Sequence, residues 1–72
     1  MAKYSLVGID GNAFVIMGYT ANALKKEGLA ELIPEMQMRA KSGDYTNLLR
    51  VCLEYVEIAN DKAIDNGYVE EK

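Results

Sequence analysis

The sequence contains no histidine and no tryptophan, and it has a single cysteine and a single proline. Without histidine, the chain lacks the commonest general base and cannot form a Ser-His or Cys-His nucleophilic pair. One cysteine cannot close an internal disulfide, and without histidine or a second cysteine there is no zinc ligand set. A chain of 72 residues also has little room to enclose carboxylates or lysines away from water. We therefore expect a protein that is not an enzyme and that uses no metal or other cofactor.

Long apolar runs are also missing. The longest covers residues 13–17, far short of the about 20 residues that span a membrane. The first residues show neither the charged nor the apolar region of a signal peptide. The free thiol of Cys52 fits a reducing compartment, and its place on an apolar helical stripe predicts a core position. The sequence thus predicts a cytoplasmic protein with no membrane association.

What the chain does have is apolar residues and acidic charge. Half of its residues are hydrophobic, which argues against disorder and predicts one domain over residues 1–72. The net charge is −3, and residues 51–72 alone carry six acidic and two basic side chains. Such an acidic segment disfavours nucleic acid and suits a basic protein partner. From about residue 65 to residue 72 we expect a loose acidic tail.

Residues 4–9 are rich in β-forming side chains and predict a short strand. A single strand leaves its backbone N–H and C=O groups without partners. Since no second convincing strand follows, we expect the strand to pair with that of a second copy, giving a homodimer.

Three helices are predicted after the strand, so the expected fold is α+β, mainly α, in the order β-α-α-α. The first helix should run from about residue 12 to residue 27, capped by Asp10 or Asn12 and stopped by Gly28. A hairpin with residues 14–18 as its second strand stays open as an alternative. The apolar stripe of this helix comprises Phe14, Met17, Ala21, Leu24 and Gly28.

Pro34 interrupts the second helical pattern. The helix either starts near Leu32 and Ile33, with Pro34 in its first turn, or starts at Leu29 and kinks. Asp44 is a natural N-cap for a third helix that should end near residue 60 and could fray on to residue 64.

Two groups of residues are predicted to bind a protein partner. On the first helix, some apolar side chains fall off the core stripe; on the third helix, acidic side chains form a face. These predicted partner-binding residues are Val15, Ile16, Tyr19, Glu54, Glu57 and Asp61. The leading hypothesis is a non-enzymatic, dimeric protein-interaction module.

Two alternatives remain open. In one, the backbone N–H groups of Gly11, Asn12 and Ala13, in the loop of residues 8–13, bind a small nucleotide or phosphate at a helix start. In the other, paired strands enter DNA as in ribbon-helix-helix regulators, although Lys3, Ser5 and Val7 would be a poor basic set.

The segments 5–14, 17–20 and 42–45, the last followed by Leu48 and Leu49, resemble a family of short uncharacterised proteins from Gram-positive bacteria and their phages. The resemblance covers about residues 4–58. The family has no assigned activity, so the resemblance transfers no catalytic residue. It implies a mobile-element setting, in which a small acidic protein would act by binding a host factor.

Overall fold

The computed structural model describes residues 1–70 and consists of three α-helices and one 3₁₀ turn. Helix α1 spans Ala13–Lys26, the 3₁₀ turn Ala30–Leu32, helix α2 Ile33–Lys41 and helix α3 Tyr45–Asp65. No residue between 1 and 70 is in a strand, so the predicted β-α-α-α fold of the α+β class is wrong.

Residues 4–9 are an irregular segment, and helix side chains bind the backbone groups at its start. The Tyr4 N–H donates to Oδ1 of Asn60 at 2.8 Å, and Nδ2 of Asn60 donates to the Tyr4 carbonyl at 3.0 Å. The Ser5 N–H donates to the hydroxyl oxygen of Tyr19 at 3.0 Å. One amide side chain thus supplies the donor and the acceptor that a neighbouring strand would supply. Because residues 4–9 form no strand and the Tyr4 and Ser5 N–H groups already have partners, strand pairing no longer gives a reason for a dimer. The homodimer itself stays a prediction.

Helix α1 begins as the capping residues predict. The side chain of Asn12 accepts a hydrogen bond from the Phe14 N–H at 2.9 Å, so Asn12 is the N-cap. The helix continues through residues 14–18, which excludes the hairpin alternative. Gly28 has a φ of 80°, a left-handed conformation that glycine adopts without strain, and it ends the helix.

The buried face of α1 is rotated relative to the predicted stripe. Phe14 is 78% exposed, whereas Ile16 is only 4% exposed. An apolar pattern does not predict this buried face, because it includes two polar residues, Thr20 and Glu27. Thr20 satisfies its hydroxyl locally by donating to the Ile16 carbonyl at 2.9 Å.

The first alternative for Pro34 is confirmed, since it lies in the first turn of α2, where its missing N–H costs nothing. Asp44 caps α3 by accepting from the Asn47 N–H at 2.9 Å, as predicted. Helix α3 runs to Asp65, beyond the predicted end near residue 60, and Gly67 with a φ of 104° follows it.

Hydrogen bonds at both ends show how the helices are arranged. The Tyr45 hydroxyl donates to the Gly11 carbonyl at 2.5 Å near the starts of α1 and α3. Beyond their ends, Nδ2 of Asn66 donates to Oε1 of Glu27 at 3.0 Å, so α1 and α3 run parallel. Helix α2 joins α3 through a short turn and packs against it. The largest fully buried side chains are Leu24, Met36, Val51, Thr20 and Cys52.

Two predictions concern the core thiol and the chain end. Cys52 is fully buried, as predicted, and burial raises the pKa of its thiol. Within the predicted tail, Tyr68 donates through its N–H to the Ala63 carbonyl at 2.9 Å and through its hydroxyl to the Met1 carbonyl at 3.0 Å. Residues 71 and 72 of that tail lie outside the described residues. Within residues 1–70, no helix has the length and apolar character needed to cross a bilayer.

Candidate functional site

The predicted partner-binding residues of α1 occupy three different environments. Ile16 lies in the core and presents no surface. Tyr19 is half-buried, its ring meets that of Tyr4 edge-on at 6.4 Å, and its hydroxyl oxygen accepts from Ser5. Val15 is the one of the three that is exposed. The structure therefore does not bring these residues together as one binding surface.

Glu54 on α3 is held by an intramolecular ion pair. The guanidinium of Arg39 donates to both carboxylate oxygens and to the Tyr55 hydroxyl, and it lies over the Tyr55 ring at 5.5 Å. These hydrogen bonds lower the pKa of Glu54 and raise that of Arg39. The carboxylate of Glu54 therefore joins α3 to α2, although both side chains of the pair are partly exposed.

Glu57 and Asp61 remain as exposed carboxylates on α3. Among residues 1–70, neither has a basic side chain within ion-pair distance. They are four residues apart, so they lie on successive turns of one helix side and repel each other. This arrangement costs α3 a few tenths of a kcal/mol and gains nothing for the fold.

Large apolar side chains flank these two carboxylates. Leu53 is 50% exposed, Ile64 is 47% exposed and Ile58 is 37% exposed. With 3.6 residues per turn, Leu53 and Ile64 lie on the side of α3 that faces away from the buried Ala59, whereas Ile58 lies at the flank of that side, next to the buried Val51. We define the α3 face as five exposed residues of this side and its flank, Leu53, Glu57, Ile58, Asp61 and Ile64. The exposed Arg50, Glu54 and Asp65 lie on the same side of the helix.

The sequence prediction missed the apolar members of the α3 face. Leu53, Ile58 and Ile64 all fall off the apolar stripe that predicts the core side of the third helix. That stripe comprises Tyr45, Leu48, Leu49, Cys52, Tyr55, Val56 and Ala59. On the first helix, the apolar residues that fall off the stripe include the exposed Val15 and also the buried Ile16. On α3, the same criterion finds the exposed apolar residues.

In the predicted anion loop, the side chain of Asp10 already binds one of the three backbone N–H groups. The Asn12 N–H donates to Oδ1 of Asp10 at 2.9 Å, and the Gly11 carbonyl accepts from Tyr45. An external anion at Gly11, Asn12 and Ala13 would meet the negative charge of Asp10. The geometry at this loop is that of a turn and a helix cap.

A polar network holds the N-terminal segment against the end of α1. The carboxylate of Glu27 is buried, with Nζ of Lys3 at 2.8 Å and Nδ2 of Asn66 at 3.0 Å, and it also accepts from the Tyr4 hydroxyl. Hydrogen bonds from Lys3, Tyr4 and Asn66 lower the pKa of Glu27 to about 2. No sequence pattern pointed to this network, because its members lie far apart along the chain.

The network also bears on the DNA-binding alternative. Lys3 is the basic residue of the segment that would enter the groove, and its ammonium is bound to Glu27. With no strand in the described part of the chain, the paired ribbon of a ribbon-helix-helix protein is absent there.

Comparisons with protein-family models, curated proteins and solved structures find no match for the chain. The resemblance to short proteins of Gram-positive bacteria and their phages therefore stays a prediction. No group of three or more acidic or cysteine side chains within residues 1–70 is arranged to hold a metal ion.

Proposed function

We propose that the protein is a non-enzymatic interaction module whose α3 face binds a basic, amphipathic segment of a partner protein. The observation that carries the proposal is the pair of exposed carboxylates without ion-pair partners, Glu57 and Asp61, flanked by exposed leucine and isoleucine side chains. Apolar side chains that stay in water contribute little to folding, and the two carboxylates oppose it. A partner that covers the face would remove both costs.

The chemistry of the partner follows from that of the face. Lysine or arginine side chains would pair with Glu57 and Asp61, while leucine-like side chains would cover Leu53 and Ile64. An amphipathic helix presents both kinds of residue on one side and can lie along an exposed helix.

A second copy of the chain fits this face less well. In a two-fold symmetric dimer the same patch meets itself, so Glu57 and Asp61 would approach the same acidic residues of the other copy. The strand that first suggested a homodimer is also absent from residues 1–70. Self-association through the α3 face would therefore contradict the proposal that this face binds a basic partner segment. If the family resemblance holds, the partner would be a host protein.

The test measures binding of two synthetic helical peptides with the same leucine pattern, one with lysine and one with glutamate at its polar positions. We expect saturable binding of the lysine peptide and none of the glutamate peptide, with affinity falling as salt rises. The double variant Glu57→Lys, Asp61→Lys should weaken binding by about tenfold or more, because each lost charge pair is worth roughly a kcal/mol.

The matched control is Glu31→Lys, Glu35→Lys, which changes the net charge equally at exposed positions outside α3. It should retain most of the affinity. Equal weakening by the two double variants would show general attraction between opposite charges and contradict the proposal. Sedimentation that shows a dimer broken by Leu53→Ser, without peptide binding, would assign the face to self-association.

A further inference from the structure

An open pocket lined by basic rather than acidic side chains lies between α1 and the N-terminal segment, residues 1–9. Its volume is about 320 Å³, and it is lined by Lys3, Tyr4, Tyr19, Asn22, Ala23 and Lys26. That volume is at the lower end of the range for small-molecule sites, about 300–1,000 Å³. None of the predicted binding functions includes this pocket.

The polar groups of the pocket converge from one side of α1. Tyr19, Asn22 and Lys26 are three and then four residues apart, so successive turns of the helix carry them on one face. The hydroxyl oxygen of Tyr19 accepts from Ser5, which leaves its hydrogen free to donate. Within the described chain, the side chains of Asn22 and Lys26 have no hydrogen-bond or ion-pair partner.

The net charge of the pocket is one positive unit. The Lys3 ammonium is 2.8 Å from the Glu27 carboxylate, so these two charges offset each other. The ammonium of Lys26 has no such partner in the part of the chain that the structure describes. A ligand carrying one negative charge would therefore be neutralised at this point.

The remaining wall of the pocket is apolar. The rings of Tyr4 and Tyr19 meet edge-on, with an interplanar angle of 80°, and the buried methyl group of Ala23 lies beside them. Aromatic side chains favour such edge and offset contacts with a further ring.

We infer that the pocket binds a small aromatic carboxylate, with the carboxylate at Lys26 and Asn22 and the ring against Tyr19. The inference is independent of the proposed partner on α3, because it rests on α1 and the N-terminal segment. Charge, donor geometry and an aromatic wall are the three features that select this class of ligand.

The experiment is a two-dimensional NMR titration of the isotope-labelled protein at constant ionic strength with three probes. Benzoate carries the ring and the charge, benzamide the ring alone, and acetate the charge alone. We expect saturable shifts of the Asn22, Ala23 and Lys26 amides with benzoate in the millimolar range. Benzamide and acetate should each bind about tenfold more weakly, the loss expected for one charge-assisted or one ring contact.

Two exposed lysines provide a matched pair of variants. Lys26→Met should weaken benzoate binding by about tenfold, whereas Lys25→Met, on the adjacent helix position outside the pocket, should not change it. Asn22→Ala provides a second test at another exposed lining residue and should also weaken binding. Equal affinity of Lys26→Met and Lys25→Met, equal binding of benzamide and benzoate, or no saturable shift would each overturn the inference. The charge-reversal variants of the α3 face should leave the titration unchanged.

Discussion

The side chain of Asn60 binds the Tyr4 backbone as a neighbouring strand would, and one substitution tests this role. Asn60→Ala removes the hydrogen bond that Oδ1 accepts from the Tyr4 N–H and the one that Nδ2 donates to the Tyr4 carbonyl. Each such bond contributes about 0.5–1.5 kcal/mol net, so the free energy of unfolding should fall by about 1–3 kcal/mol. A domain of this size has roughly 3–5 kcal/mol of stability from its core, so the loss should be large.

The assay is thermal unfolding followed by circular dichroism, with Asn22→Ala as control. For a small domain, each kcal/mol moves the midpoint by about 4–8 °C, so Asn60→Ala should lower Tm by roughly 5–20 °C. Both substitutions replace asparagine by alanine within a helix, so the gain in helix propensity cancels between them. The side chain of Asn22 makes no hydrogen bond within residues 1–70, and its variant should stay near the wild-type midpoint.

Hydrogen exchange gives the result that would refute this reasoning. The Tyr4 amide should be protected in the wild type and should exchange rapidly in Asn60→Ala. If the Tyr4 amide remained protected in that variant, and its protection rose with protein concentration, the segment would be paired between two copies. A midpoint for Asn60→Ala equal to that for Asn22→Ala would equally contradict the role assigned to Asn60.

Three further outcomes follow from the core, the helix backbone and the buried carboxylate. Leu24→Ala should cost about 2–5 kcal/mol in a denaturant titration, because Leu24 is fully buried and its removal leaves a cavity. Gly18→Ala should stabilise the protein by about 0.4–1 kcal/mol, since no atom lies within 4 Å of the added methyl group, whereas Gly28→Ala at a φ of 80° should destabilise it. The pKa of Glu27 is about 2 against an ordinary 4.5, so the unfolded state binds more protons between these values. The stability advantage of the wild type over Glu27→Gln should therefore be full above pH 4.5 and should shrink as the pH falls towards 2, as measured by Tm against pH.

Local chemistry made the helix boundaries predictable. Asn12 and Asp44 cap α1 and α3 through hydrogen bonds to backbone N–H groups two or three residues away, which a sequence pattern records directly. Pro34 marks the start of α2 for an equally local reason, its missing N–H. The helical part of the fold can therefore be predicted from the sequence.

The errors arose where side chains distant in sequence decide the outcome. Residues 4–9 have strand-like composition, but Asn60, which is 56 positions from Tyr4, binds the Tyr4 backbone and fixes an irregular path. The buried face of α1 was misplaced because Glu27 counts as polar by sequence and becomes buried only through Lys3, Tyr4 and Asn66. A hydrophobicity pattern cannot represent such tertiary compensation.

Contacts between residues distant in sequence also distinguish the predicted acidic site residues of α3 from one another. Glu54, Glu57 and Asp61 are equivalent as acidic residues of one helix, and sequence alone gives no reason to separate them. Arg39, 15 positions before Glu54, pairs with that carboxylate and leaves the other two.

The ion pairs also determine where the excess negative charge of the protein lies. The two ion pairs of the described chain, Lys3 with Glu27 and Arg39 with Glu54, each neutralise one acidic and one basic group, so they leave the net charge of −3 unchanged. They remove carboxylates from the end of α1 and the middle of α3. The acidic residues of α3 that remain outside an ion pair are Glu57, Asp61 and Asp65, and its basic residues are Arg50 and Lys62. At the pocket, the same pairing cancels Lys3 and leaves Lys26. The chain therefore presents an unpaired acidic face on one helix and an unpaired cation on another, which is why a basic protein segment and a small organic anion are the two ligands that its surface chemistry favours.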